Sequence, residues 1–128
     1  MVVGHYGRGG VQAVLNEDRF GFIDNWLRHV GDVKEKHLEQ LNALPEKQRL
    51  DRLIELNVIE QVRNVSRTSI VQDAWLRGQE LTVHGWVYGL ENGHLHDLES
   101  VVSCAEEEYI SYKKAVHHVL NKSADSHL

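Results

Sequence analysis

The sequence has almost no cysteine, no long apolar run and an excess of acidic side chains, and each of these features excludes a class of protein. Cys104 is the single cysteine among 128 residues, so an intramolecular disulfide and a cysteine-rich metal cage are excluded. No apolar run approaches the roughly 20 residues that span a bilayer, and no secretory signal is visible. We therefore expect a cytoplasmic protein that does not enter a membrane, in which Cys104 is an inert, partly buried thiol.

The charge balance argues against nucleic acid as a partner. The chain carries 19 acidic residues against 14 lysines and arginines, which gives a formal net charge of -5. Binding to a phosphate backbone draws on clustered lysines and arginines, so we expect no nucleic-acid partner. With 41% hydrophobic and 26% charged residues, the composition fits one globular domain with a modest core. We place this domain at residues 1–120 and a polar tail at 121–128.

The spacing of apolar residues predicts a chain rich in helices. The predicted helices are one opened by Gly9 and Gly10, one over 23–30 that continues through 37–44, a long one over 45–62, a short one over 70–77 and a terminal one over 106–120. Thr68 is the predicted N-cap of the short helix, and Gly78 is the residue that ends it. In the terminal helix we expect Tyr109, Tyr112, Val116 and Val119 to form the apolar face.

One part of the chain has a period of two instead. Between residues 81 and 90, Leu81, Val83 and Val87 alternate with more polar or aromatic side chains, which predicts a strand. The Glu-Asn-Gly sequence at 91–93 is typical of a turn, and residues 94–98 are the predicted returning strand. The apolar residues at 2–5 are a third strand end. These strands and helices together predict an α/β fold.

The first ten residues after Met1 carry the most specific motif. Residues 2–11 read V-V-G-H-Y-G-R-G-G-V, which resembles the metal-binding strand end of the β-class carbonic anhydrases. In that family the pattern V-C-G-H-x-x-C-G-G supplies one histidine and one cysteine to a catalytic zinc. His5 stands at the histidine position, and Arg8 occupies the position of the second cysteine. The resemblance continues through E-L-N-V-I-E-Q-V at 55–62, A-W-L-R-G-Q at 74–79 and V-H-G-W-V-Y-G at 83–89.

The resemblance implies the C-terminal part of the β-carbonic anhydrase fold. In the family, a central and mostly parallel sheet has an antiparallel strand at one side, and strands 2–5, 81–90 and 94–98 would be its remaining members. Family members also carry an upstream block with a C-x-D-x-R motif on the first core strand, followed by a second core strand. The sequence has no such block, so we interpret it as an N-terminally truncated family member. Without two buried parallel strands, a monomer should be marginally stable.

The sequence contains only part of the zinc-ligand set that the resemblance implies. Of the family's cysteine, aspartate, histidine and cysteine ligands, the sequence retains His5. Arg8 cannot replace a thiolate, because its guanidinium stays protonated and offers no lone pair to a metal. Catalytic zinc needs about three protein ligands and a position for water. We therefore predict that His5 is a remnant ligand, that the chain holds no zinc stably, and that it has no catalytic residue of its own.

Two other places could bind an anion. Arg8 precedes Gly9 and Gly10 at a predicted helix start, where free backbone N–H groups and the helix dipole favour negative charge. Tyr88 matches a tyrosine that, in some bacterial β-class enzymes, belongs to a non-catalytic bicarbonate pocket. Arg8, Gly9, Gly10 and Tyr88 are thus candidates for binding bicarbonate or another small anion. The alternatives, a surface arginine and a structural tyrosine, stay open.

Paired histidines offer a further possibility for a metal. His94 and His96 are two residues apart on a predicted strand, a spacing that can chelate a metal ion. Because no third ligand is evident near them in the sequence, we interpret them as part of an exposed strand face.

Three functions follow from these observations. The first is a carbonic anhydrase family member that is inactive by itself, a pseudoenzyme. The second is an oligomerisation or regulatory module that associates with itself or with a full-length carbonic anhydrase, because family members form dimers and tetramers. The third is an active carbonate dehydratase that hydrates CO2 to bicarbonate with zinc ligands supplied by another chain. The ligand count favours the first.

Overall fold

The structure, a computed structural model, describes residues 2–5, 24–89 and 94–121. Its elements in chain order are β1 (Val2–His5), α1 (Asp24–Lys36), α2 (Leu38–Asn42), α3 (Glu46–Ser66), α4 (Ser69–Leu76), β2 (Val83–Gly89), β3 (His94–Val102), a 3-10 turn (Ala105–Glu107) and α5 (Glu108–Asn121). The α/β fold class is therefore confirmed, and so is each predicted helix in this part of the chain. The predicted helix that begins at Gly9 and Gly10 lies outside the described residues.

The three strands form one sheet in the order β1-β2-β3. Strand β1 runs parallel to β2, with Val2 beside Gly85 and His5 beside Tyr88. Strand β3 runs antiparallel to β2, so that Val83 pairs with Val102 and Gly89 pairs with His94. The strand predicted over 81–90 is observed as Val83–Gly89, and the strand end predicted at 2–5 is observed with those bounds.

The predicted end of β3 was wrong, because the strand continues four residues past Leu98 to Val102. The register shifts opposite Gly85 and Trp86, and Glu99 adopts a positive φ of 59° there. The backbone N–H of Glu99 donates to Asp97 Oδ1 at 2.8 Å, which stabilises this local turn. Such a bulge interrupts the alternation of side chains without ending the pairing, so the sequence pattern stops before the strand does.

Helix α3 covers one face of the sheet and contacts all three strands, α1 and α5. Pro45 precedes its first turn with a φ of -55°, a value that suits entry into a helix. Gly85 is the point of closest approach, since an added Cβ would lie 2.9 Å from Val62 Cγ2 and 3.1 Å from Val58 Cγ1. The packed middle of the molecule consists of α3, β2, β3 and α5, and its most buried apolar residues are Leu53, Leu56, Ile59, Val62, Val87, Leu98, Val102 and Val119.

The ends of the short helix agree with the sequence prediction, whereas one apolar position of the last helix does not. The Val71 N–H donates to Thr68 Oγ1 at 3.4 Å, and Gly78 has a φ of 77° directly after α4. Helix α5 buries Tyr112 and Val119 as expected, together with Ala115. Tyr109 is 54% exposed, so its assignment to the apolar face was wrong. Its ring lies 5.7 Å from the Arg63 guanidinium carbon, a cation–π contact at the surface.

Among the described helices, none combines the length and the apolar character that crossing a bilayer requires.

Candidate functional site

The backbone brings two of the predicted site residues together at one end of the sheet. His5 is the last residue of β1, and its register partner on β2 is Tyr88. Because β1 and β2 are parallel, both residues lie where their strands end. The next pair on β2 and β3, Gly89 with His94, lies at the same end of the sheet. We call this end, formed by His5, Tyr88, Gly89 and His94, the carboxyl end of the sheet.

The carboxyl end of the sheet is where α/β proteins place their ligands. In open α/β sheets, ligands bind outside the carboxyl ends of the parallel strands. The sequence assigned His5 to a remnant metal site and Tyr88 to a separate anion pocket. The register places them on neighbouring strands, which lie roughly 4.8 Å apart in a sheet. The other anion-binding candidates, Arg8, Gly9 and Gly10, lie outside the described residues.

Cys104 lies at the opposite end of the sheet. It follows Val102, which pairs with Val83 at the start of β2. Five residues of strand separate Val83 from Tyr88, a length of about 16 Å. Desolvation raises the pKa of the Cys104 thiol, and the carboxylates of Glu106 and Glu107 oppose its ionisation. Because of this separation, Cys104 does not have the position of a ligand that shares a metal with His5.

The histidines of β3 do not complete a metal site either. His94 is exposed and His96 is half-buried. Across residues 2–5, 24–89 and 94–121, no three His, Cys, Asp or Glu side chains are grouped closely enough to hold a metal ion. Zinc is the metal that the resemblance implies, and it takes at least three protein ligands in catalytic sites. The donors in the described residues therefore do not fit a catalytic zinc.

Sequence reasoning missed a buried ion pair inside α3. Arg52 Nε lies 2.8 Å from Glu55 Oε1, and the two side chains are 1% and 0% exposed. The signal was present in the sequence, because the two charges are one helical turn apart and surround the apolar Leu53 and Ile54. Charged side chains are almost never so buried without a partner, so the pair belongs to the packed middle rather than to the surface.

A second charged cluster surrounds Tyr112 and joins three helices. The Lys36 ammonium of α1 and the Arg63 guanidinium of α3 lie over the Tyr112 ring at 4.8 Å and 4.6 Å. Glu60 accepts from Lys36 at 3.1 Å, and Glu108 accepts from Arg63 at 2.6 Å. Burial raises the pKa of Tyr112, so its phenol stays neutral. This cluster fastens α1 and α5 to α3 and lies apart from the carboxyl end of the sheet.

Comparison with known proteins gives one consistent family. The carbonic anhydrase family model matches residues 1–95. A carbonic anhydrase of Emericella nidulans is 43% identical over 99 residues, which cover 77% of this chain and 43% of that protein.

Solved structures agree with this match. The β-carbonic anhydrase of Coccomyxa superposes with a TM-score of 0.76 at 31% identity, over 94% of this chain and 57% of the other. A structure from a report on two tetrameric β-carbonic anhydrases of Sordaria macrospora gives a TM-score of 0.69 at 30% identity, over 79% and 52% of the two chains. The chain therefore spans about half the length of the relatives it matches.

Proposed function

The chain belongs to the β class of the carbonic anhydrase family, and from this premise we propose that it does not hydrate CO2 by itself. The observation that supports this proposal most directly is the position of Cys104, which lies at the end of the sheet opposite to His5. The family reaction needs thiolates beside the histidine, and the sequence contains no other cysteine. Residues 1–128 therefore supply no thiolate at the carboxyl end of the sheet.

The identity of residue 8 supports the same conclusion. Where the family has its second cysteine, this sequence has Arg8, a permanent cation with no lone pair. A cation beside the metal position would also repel Zn²⁺. With His5 as the one family ligand in the chain, the metal lacks the three protein donors that lower the pKa of its bound water to about 7. Without that ionised water, no nucleophile for CO2 is formed.

A complementation experiment tests the proposal. The Arg8→Cys variant restores a thiolate position next to His5, and Arg8→Ser is its control of similar size without metal affinity. Each form is mixed with a polypeptide comprising the part of the Emericella nidulans relative that precedes its match to this chain. We expect zinc binding and CO2 hydration only from Arg8→Cys with the added polypeptide. Hydration at an enzymatic rate by the unmodified chain alone would show the proposal to be wrong.

We propose association with another chain as a second function, on the evidence of β1. In the described part of the chain, β1 pairs with β2 along one edge, and no described strand pairs with its other edge. Parallel strands are normally buried within a sheet, because an open edge leaves backbone donors and acceptors unpaired. The Sordaria macrospora relatives are tetramers by description. The partner would be a second copy or a full-length carbonic anhydrase.

Sedimentation velocity tests this second function. We expect an oligomer of the purified chain, or a complex when a full-length relative is added. Successive N–H groups of a strand point to opposite edges, so Val3→Pro and Gly4→Pro remove donors from different edges of β1. We expect one of these two variants to dissociate the oligomer while the fold, monitored by circular dichroism, is retained. A monomer at all concentrations, with and without the relative, would contradict the proposal.

A further inference from the structure

A groove lies between α5 and the described segment that runs from the end of α1 through α2 to Leu44. Its volume is about 610 Å³. The residues that matter below are Lys36, His37, Leu44, Lys113, Val116 and Leu120. A volume of this size is within the range of small-molecule sites, which is roughly 300–1,000 Å³. Neither the family resemblance nor the proposed function assigns a role to it.

The groove is positively charged within an acidic chain. Its charged lining residues are two lysines, Lys36 and Lys113, and the lining includes no aspartate or glutamate. The whole sequence has five more acidic than basic side chains, so the composition of the groove is opposite to that of the chain. Lys36 is neutralised by Glu60 at 3.1 Å, whereas Lys113 forms no ion pair with a described residue. Charge complementarity therefore favours an anion at Lys113.

A buried imidazole in the groove has an atom without a partner. His37 is 7% exposed, and its Nε2 makes no hydrogen bond with any described residue. Burial lowers the pKa of His37, and the nearby Lys36 ammonium lowers it further, so the ring is neutral at pH 7. A neutral imidazole nitrogen can donate or accept, depending on the tautomer. Buried polar atoms almost always have a partner, so Nε2 of His37 is a position that a polar ligand atom would satisfy.

The groove combines polar side chains with an apolar floor. Lys36 lies over the Tyr112 ring at 4.8 Å, which places the α1–α2 turn beside the first half of α5. The same lining includes Val116 and Leu120 further along α5 and Leu44 after α2, and all three pack against the core. Eight residues of helix separate Tyr112 from Leu120, a length of about 12 Å. His117 and Asn121 at the far end bond each other, since Asn121 Nδ2 donates to the His117 carbonyl at 2.7 Å.

From the charge, the unpartnered imidazole and the apolar floor, we propose that this groove binds a carboxylate with an unbranched apolar tail of about eight to ten carbons, the length that matches two turns of helix. The carboxylate lies at the end formed by His37 and Lys113, where it accepts from the lysine and from the imidazole. The tail extends along Val116, Leu44 and Leu120. The anion and the apolar chain are both required, because neither end alone fills the groove.

Titration calorimetry of the full chain with decanoate tests the proposal. Lys113→Glu replaces a charge-assisted contact by like-charge repulsion, so we expect it to weaken binding about tenfold or more. The matched control is Lys114→Glu, the same charge change on the next residue of α5, which lines a different cavity. We expect this control to change the affinity by less than about twofold, because the Lys114 side chain lines the other cavity and solvent screens its charge. Decanol and acetate, which each carry half of the ligand, should bind far more weakly than decanoate.

Amide chemical shifts on adding decanoate locate the site. We expect the shifts in α2 and in the second half of α5, and we expect Ala43→Phe, at an exposed position in the lining, to abolish them by filling the groove. Three results would overturn the proposal. The first is an equal loss of decanoate affinity in Lys113→Glu and Lys114→Glu. The second is binding of decanol as tight as that of decanoate. The third is that Lys113→Glu dissociates an oligomer whereas decanoate does not change the oligomeric state. The last would make the groove a protein interface.

Discussion

The packed middle of the molecule and the carboxyl end of the sheet differ in what they retain of the family. In the middle, α3 lies on β2 and β3 with Leu53, Val87 and Leu98 fully buried. At the carboxyl end, His5 and Tyr88 lie side by side on neighbouring strands, but the cysteine position of the family motif is an arginine. One region retains the packing of the family fold, and the other departs from the family motif at residue 8.

This difference shows what a family resemblance reports. The string E-L-N-V-I-E-Q-V at 55–62 is recognisable because it forms the buried face of α3, where Leu56, Val58 and Val62 contact the core. The first glycine of V-H-G-W-V-Y-G is Gly85, which allows α3 to pack close to the sheet. In the structure these residues belong to the packing of α3 against the sheet. A chain can therefore keep the fold of an enzyme family while its site changes independently.

The largest expected change in the free energy of unfolding comes from removing the buried ion pair in the packed middle. Glu55→Ala leaves the Arg52 guanidinium buried without this carboxylate, which should lower the free energy of unfolding by about 3–5 kcal/mol. The measurement is urea denaturation followed by circular dichroism. Glu35→Ala, on the exposed side of α1, is the control and should change stability by less than about 0.5 kcal/mol. Similar small effects for both variants would show that the pair does not stabilise the fold.

A smaller effect is expected where α3 approaches β2. Gly85→Ala places a Cβ within 2.9 Å of Val62 Cγ2, and the overpacking should cost about 1–3 kcal/mol. The Val62→Ala background removes the clashing methyl groups, so the cost of Gly85→Ala should be smaller in the double variant. A double-mutant cycle on the free energy of unfolding measures this coupling. Strictly additive effects would mean that the two residues do not meet.

The protonation of His37 gives a pH dependence of modest size. Burial first, then the Lys36 ammonium, lowers the pKa of His37 below its ordinary 6.5, against an opposing effect of Glu60. The folded state then binds fewer protons than the unfolded state, so the free energy of unfolding falls as pH decreases through about 6.5. His37→Gln should remove this component of the decrease between pH 7 and pH 5. Gln40→Ala, at an exposed position of α2 with no titratable group, is the control and should leave the pH profile unchanged.

The smallest effect is expected at the carboxyl end of the sheet. If His5 holds no metal, His5→Gln should change the free energy of unfolding by less than about 0.5 kcal/mol, as for other sites without a bound ligand. For the same reason, neither added zinc nor a chelator should shift the melting temperature of the unmodified chain, since a ligand stabilises only a fold that binds it. A zinc-dependent rise in melting temperature that disappears in His5→Gln would show that the carboxyl end of the sheet binds zinc, and the proposed difference from the packed middle would be wrong.

The elements that the sequence predicted well are those whose side-chain period is uninterrupted. Helix α3 and strand β2 followed from their periods of 3.6 and two, and Thr68 and Gly78 marked the ends of α4. The continuation of β3 was missed because the bulge at Glu99 breaks its alternation. Tyr109 was misassigned because an aromatic ring can lie over surface cations as well as in a core.

The sequence named the residues of the candidate site, but it did not indicate how they are arranged. Motif matching identified His5 and Tyr88 separately, because each matches a different functional position of the family. Their pairing depends on the register of two strands that are about 80 residues apart in the sequence, which no local pattern contains. The position of Cys104 at the opposite end of the sheet likewise follows from the pairing of Val83 with Val102. Topology, rather than composition, separates the thiol from the histidine.

The zinc content of the purified, unmodified chain shows whether His5 belongs to a complete zinc site. It is determined by elemental mass spectrometry after dialysis against zinc and then against buffer. We expect substoichiometric zinc that does not decrease further in His5→Gln. One zinc per chain, lost in His5→Gln, would contradict this expectation, because the chain would then supply a complete ligand set that includes His5.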